Sequence, residues 1–166
     1  MELNEAKEKY IKTWGTLASQ WGTNRTMAQI HALLLISSKV LSTEEIMLEL
    51  KISRGNANTN IRSLMDWGLV KKELIAGDRK EYFKAEKDAL EMFKRIVKER
   101  KKRELESIIQ TMDELQIIDD QSEEGKEFKK VIGDIHSVTK KSNRIIEIIL
   151  KLDNHWLFER VVKILK

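Results

Sequence analysis

From Ser53 to Ser63 the chain reads Ser-Arg-Gly-Asn-Ala-Asn-Thr-Asn-Ile-Arg-Ser, residue types better suited to hydrogen-bonding a nucleic acid than to building a helix. Asn is a weak helix former, so its repetition here gives up local stability for something else. Wound as a helix at about 100° per residue, the segment places Ala57, Ile61 and Leu64 on one side. Gly55, Asn56, Asn58, Thr59, Arg62 and Ser63 then lie on the other. That outer face offers amide, hydroxyl and guanidinium groups, the donors and acceptors that meet base edges and phosphates, and it carries no carboxylate before Asp66. The expected division of labour has Arg62, Asn58 and Thr59 reaching bases, and Ser53, Arg54 and Asn56 holding phosphates. Gly55, with no side chain near a helix N-terminus, would let backbone amides approach a phosphate. Simple tolerance of glycine in a first turn is the plainer alternative.

A second group sits at Gly77-Asp78-Arg79-Lys80, where Arg79 and Lys80 would reach a flanking groove or backbone from a hairpin tip. Taken alone, basic residues at a loop tip say little. Catalytic chemistry finds little to work with. His31, His136 and His155 are scattered, Cys is absent, and none of the phosphate-loop, dinucleotide-loop or nucleophile-elbow patterns occurs. We expect no enzyme, no metal site and no cofactor.

The elements needed to position these groups are legible around them. Leu3, Tyr10, Trp14, Leu17 and Trp21 form one stripe of a first helix, which ends at Gly22. A second helix, capped at Thr26, would bury Ala28, Ile30, Leu33, Leu34 and Ile36. Ser42 followed by Glu45 predicts a capping box opening a helix over 43–50. After the turn Lys51-Ile52-Ser53, Ser53 caps the Asn-rich helix, which runs to about Trp67 and closes at Gly68 and Leu69. Alternating residues from Val70 to Ile75 and from Arg79 to Ala85, joined by Ala76-Gly77-Asp78, predict a two-stranded hairpin. Helix, turn, helix and hairpin in that order make a winged helix-turn-helix. Helical periodicity resumes at Asp88 and is expected to run as one long helix, with a break near 119–125. A further helix follows over Phe128–Leu152, in one piece or two, and a last one spans Trp156–Leu165.

Composition bounds the class. The chain has 166 residues, no Pro and only seven Gly, which favours long unbroken helices. With 41% hydrophobic residues and a net charge of +4 it is expected to be globular, without a membrane span, and cytoplasmic. Charge is segregated: Lys94–Arg103 is nearly all basic, and the acids of the C-terminal half gather in 104–127. The basic run would attract phosphate non-specifically or form an ordinary solvated face. The apolar stripes outside the winged unit exceed what a small DNA-binding module needs, and a two-fold dimer would use them.

The stretches Ser53–Val70, Gly77–Phe83 and Trp21–Leu33 resemble the GbsR branch of the MarR-type regulators. The resemblance covers roughly residues 10–90 and implies a dimeric repressor or activator, joined through its terminal helices. Members of that branch that answer to osmolyte signals suggest a small-molecule effector, for which Tyr10, Trp14 and Trp21 would supply an aromatic cage. These three residues also form the apolar stripe, and core or dimer packing is the better reading of them. The expected architecture is mainly α: a dimerisation helix over 1–25, a DNA-binding winged helix-turn-helix over 26–86, and a helical linker and dimerisation region over 87–166. The expected function is sequence-specific regulation through double-stranded DNA by a homodimer, with repression the anticipated direction. A winged-helix adaptor between proteins is the alternative.

Overall fold

The computed structural model describes residues 1–151 and Lys163. The helix expected over Trp156–Leu165, and with it His155, lies outside the described residues. The chain divides into two compact units, Met1–Met92 and Phe93–Lys166.

In the first unit, α1 (Leu3–Gln20) packs along α2 (Arg25–Ile36). Ile11 and Gly15 are the buried residues of α1. The crossing is close at Gly15, where a Cβ would come within 2.7 Å of Gln29 Cγ. Tyr10 and Trp14 are half-buried, whereas Leu3, Leu17 and Trp21 of the same stripe are exposed. The cap of α2 is Asn24 rather than Thr26: its side chain accepts from the Met27 amide at 3.0 Å. Met27, Ala28, Ile30, Ala32, Leu33 and Leu34 of α2 are all buried, and this helix forms the spine of the unit.

A two-residue strand β1 (Leu41–Ser42) leads into α3 (Thr43–Leu50), which opens with the expected capping box. Ser42 Oγ accepts from the Glu45 amide, while Glu45 accepts from the Ser42 amide at 2.8 Å. Lys51 then takes a left-handed conformation (φ 54°), which turns the chain into α4 (Arg54–Asp66). Helix α4 buries Ala57, Ile61 and Leu64 as expected and ends on Gly68 at φ 71°. The Leu69 amide reaches Leu64 O and the Gly68 amide reaches Met65 O, the paired bonds of a Schellman closure.

Strands β2 (Val70–Glu73) and β3 (Tyr82–Ala85) form the wing, with Val70 opposite Ala85 and Glu73 opposite Tyr82. β1 adds to the other edge of β3, Leu41 opposite Phe83, so the sheet is three-stranded and antiparallel in the order β1-β3-β2. The sequence predicts only the hairpin, because two residues carry no readable alternation. Phe83, Leu41, Val70 and Ala85 turn their side chains into the core beneath α2 and α4.

The segment expected as one long helix is α5 (Ala89–Arg100), a π-helical stretch at Lys101–Leu105 and α6 (Glu106–Leu115). The wider turn falls on the end of the basic run, and Lys101 there pairs with Glu106, five residues on. Helix α7 (Glu123–Lys151) is a single helix of 29 residues. It runs antiparallel to the preceding segment, since Lys101 reaches Glu147 at 3.4 Å and Asp113 reaches both His136 and Lys140, at 2.8 and 3.2 Å.

Candidate nucleic-acid interface

Helix α4 is set by its buried side, and that side leaves the opposite one to solvent. Ala57, Ile61 and Leu64 are at most 2% exposed. Seven residues around the turn of the helix, Gly55, Asn56, Asn58, Thr59 and Arg62, with Ser53 and Arg54 at its start, are all exposed, and Ser63 is half-buried. Sequence reasoning therefore assigns the outward face of this helix correctly.

Within that face the groups differ in how free they are. Ser53 Oγ accepts from the Asn56 amide at 3.3 Å and so serves the helix start. Asn60, the third Asn, points inward at 5% exposed; its Nδ2 donates to Asn56 O at 2.8 Å and to Asn56 Oδ1 at 2.7 Å. The buried Asn60 amide is thus satisfied by Asn56, whose side chain reaches it from the exposed side of the helix. Ser63 Oγ donates back to Thr59 O at 3.2 Å. Arg54 Nη2 donates to Glu44 Oε1 on α3 at 2.7 Å. The side chains of Asn58, Thr59 and Arg62 have no hydrogen-bond or ion-pair partner among the described residues. They occupy consecutive turns of one face, and they are the three expected to reach bases.

Gly55 belongs with them. A Cβ built at Gly55 meets nothing within 4 Å, so no neighbour in the chain requires glycine there. Gly55→Ala is expected to stabilise the protein by up to about 1 kcal/mol through helix propensity. It is also expected to weaken duplex binding, by holding the α4 backbone away from a phosphate. Urea unfolding and duplex titration of one sample check both signs. A variant that gains stability and keeps its affinity shows glycine to be merely tolerated.

The wing presents charge in an ordered way. Along its strands the lysines are neutralised in pairs: Lys71 with Glu86, Lys72 with Glu81 and Lys84 with Glu73. At the tip, Gly77 has φ 84° and the Asp78 amide closes the turn on Ile75 O. Asp78 braces it further: one carboxylate oxygen accepts from the Lys80 amide at 2.9 Å and the other from the Tyr82 hydroxyl at 2.7 Å. These bonds, the Lys80 amide foremost, hold the Asp78 carboxyl below its usual range, and the same contact raises Tyr82. Arg79 and Lys80 are exposed on this fixed turn, and neither forms an ion pair among the described residues. Asp78 and Tyr82 as organisers of the tip were not expected from sequence, where Asp78 registers only as a turn residue.

The aromatic residues of α1 come together in part. Tyr10 and Trp14, one helical turn apart, have ring centroids 5.7 Å apart, tilted by 32°. Trp21 is 62% exposed and joins neither ring. Two sides of an aromatic enclosure are present within the unit, and the third is not supplied by Trp21. Among the described residues no helix is long and apolar enough to cross a membrane.

Residues 21–81, which span α2, the helix-turn-helix and most of the wing, match the family model of the MarR family. The HTH-type transcriptional repressor GbsR of Bacillus subtilis (strain 168) is 24% identical over 114 residues. That alignment takes in 69% of this chain and 63% of the relative, so the chain spans somewhat less than two thirds of the relative's length. A crystal structure of a transcriptional regulator superposes with a TM-score of 0.67 at 18% identity, over 87% of this chain and 95% of the other. The shared fold reaches well past the winged unit, whereas the family match stays within it. Residues 21–81 of this chain are therefore a MarR-like winged helix-turn-helix.

Proposed function

We propose that the chain is a cytoplasmic transcriptional regulator that binds double-stranded DNA as a homodimer, with α4 in the major groove and the wing tip on the flanking groove or backbone. The observation that carries this reading is the set Asn58, Thr59 and Arg62: exposed, on one face and without partners among the described residues, while Ser53, Asn56, Asn60 and Ser63 around them are tied into the fold. A helix that only covered a core would carry paired Glu and Lys on such a face. Here the unsatisfied donors and acceptors match what base edges present. The MarR-like match and the printed role of its Bacillus relative as a repressor support regulation, with repression as the direction.

The dimer rests on α7 and α1. Phe128, Val131, Ile135, Val138 and Ile145 are exposed and recur at spacings of three, four, three and seven, a heptad-like seam along one side of α7. Leu3, Leu17 and Trp21 add exposed apolar surface on α1. We assign these two faces, each within its own unit, to contact with a second copy, so that two α4 helices stand about one DNA turn, about 34 Å, apart. A small-molecule effector would use the Tyr10–Trp14 pair and change the relation of the two copies' winged units.

Selection of duplex from a random-sequence pool, followed by titration at several salt concentrations, tests the proposal. Preference for the selected duplex over random competitor is expected, with two chains in the complex. The logarithm of the binding constant should fall linearly with that of salt, at a slope of about −0.9 per phosphate neutralised. Absence of any preference, or binding insensitive to salt, overturns it in favour of an adaptor between proteins.

A further inference from the structure

We propose that Glu44 is an internal competitor for the DNA phosphates, a carboxylate that holds the α4 cation Arg54 in the free protein and thereby penalises loosely docked duplex more than the correct site. The inference rests on the DNA-binding reading above and adds to it the residue that sets selectivity.

Glu44 lies in the first turn of α3, and Arg54 is the first residue of α4. The turn between these helices, with its left-handed Lys51, brings the two together at 2.7 Å from Arg54 Nη2 to Glu44 Oε1. Both side chains are largely solvent-exposed, at 63% and 46%, so packing does not enforce the contact. The Glu44 carboxyl sits below its usual range because its own backbone amide donates to it, because Arg54 does so as well, and because the charge of Lys80 on the wing acts on it. One carboxylate therefore answers to cations from two elements that are expected to meet phosphate, Arg54 of α4 and Lys80 of the wing.

A carboxylate resembles a phosphate in charge and in its paired oxygen acceptors. For Arg54 to bind a phosphate it must leave Glu44 or share it, and a phosphate brought near Glu44 is repelled. When α4 is fully seated, contacts from Arg62, Asn58 and Thr59 offset that cost. When the duplex lies loosely on the surface those contacts are missing and the penalty stands alone. Discrimination built from a repulsive element in this way acts mainly by weakening the wrong complex.

Glu44→Gln keeps the shape and removes the charge. It is expected to raise affinity for random-sequence duplex about 3-fold to about 10-fold, to raise affinity for the selected duplex less, and to steepen the salt slope on random duplex by about 0.9, one further phosphate contact. In an Arg54→Ala background the same change should steepen the slope much less, because the released cation is gone. Unchanged thermal unfolding of Glu44→Gln confirms that the fold is not being read. Equal or weaker binding of random duplex by Glu44→Gln overturns the proposal and makes Glu44 a positioning residue for Arg54. Failure of both wild type and Glu44→Gln to bind any duplex is the distinct signature of a failed DNA-binding reading, and overturns both.

Discussion

Replacing Arg62 by alanine is expected to cost about 1–3 kcal/mol of binding to the selected duplex, roughly 5-fold to 150-fold, and to relax base preference at one position of the site. Arg62 stands two turns along α4 from Gly55 and has Asn58 and Thr59 beside it, all exposed. Its guanidinium has no carboxylate to leave among the described residues, so nothing internal must be broken before it forks onto a base edge. Lys80→Ala is the matched control. Its ammonium belongs to the wing tip, where contact with the backbone is expected, so the loss should fall alike on every sequence and the salt slope should shrink by about 0.9. Measured on a set of duplexes with single base changes, the two variants should separate: Arg62→Ala flattens the profile at one position, while Lys80→Ala shifts the whole profile down. Equal loss across all duplexes for Arg62→Ala removes the base-reading role and reassigns this side chain to phosphate.

What could be read from the sequence was what is decided within one or two turns of chain. Ser42 with Glu45, Ser53 with the Asn56 amide, and Gly68 with its Schellman bonds are local devices, and they set the ends of α3 and α4 within a residue of expectation. The buried side of α4 follows from spacing alone. Thr26 was a plausible cap for α2, but Asn24, two residues earlier and in extended conformation, takes the Met27 amide instead, since either side chain meets the chemical requirement and the exit from α1 decides. Asn60 is assigned to neither side from the sequence. Three residues after the buried Ala57 and four before the buried Leu64 it faces inward, and its bonds to Asn56 show it to be structural. Contacts fixed by the angle between elements left no trace in the sequence. The Glu44–Arg54 pair depends on how α3 meets α4, the pairing of β1 with β3 on how the loop after α2 returns, and the antiparallel pairing on α7 of Lys101, Asp113 and Gln116 on a π-helical turn that no periodicity announces.

The second large effect concerns stability and lies away from the interface. Mild acid is expected to destabilise the fold through His31, by about 2 kcal/mol between about pH 7 and about pH 5. His31 belongs to α2, the spine of the first unit, and is only 3% exposed; its Nε2 is buried without a hydrogen-bond partner among the described residues. Burial disfavours the charged imidazolium and lowers its pKa from the ordinary 6.5 to about 4. As pH falls, the unfolded chain therefore takes up the proton first. The stability that His31 contributes is complete above its unfolded value near 6.5, and it is lost progressively as pH drops towards 4. Carboxylates such as Asp78, held low by their bonds, add their own loss only further down, so the upper part of this window isolates the imidazole. His31→Leu removes the titrating group and leaves an apolar side chain among Ile30, Leu34 and their neighbours. Its unfolding free energy should be nearly flat across the upper window, while that of the wild type falls. Parallel pH dependence in the two proteins would mean that His31 is protonated, or hydrated, in the folded state. That outcome would place a polar partner inside α2's packing, beside a nitrogen that has none among the described residues.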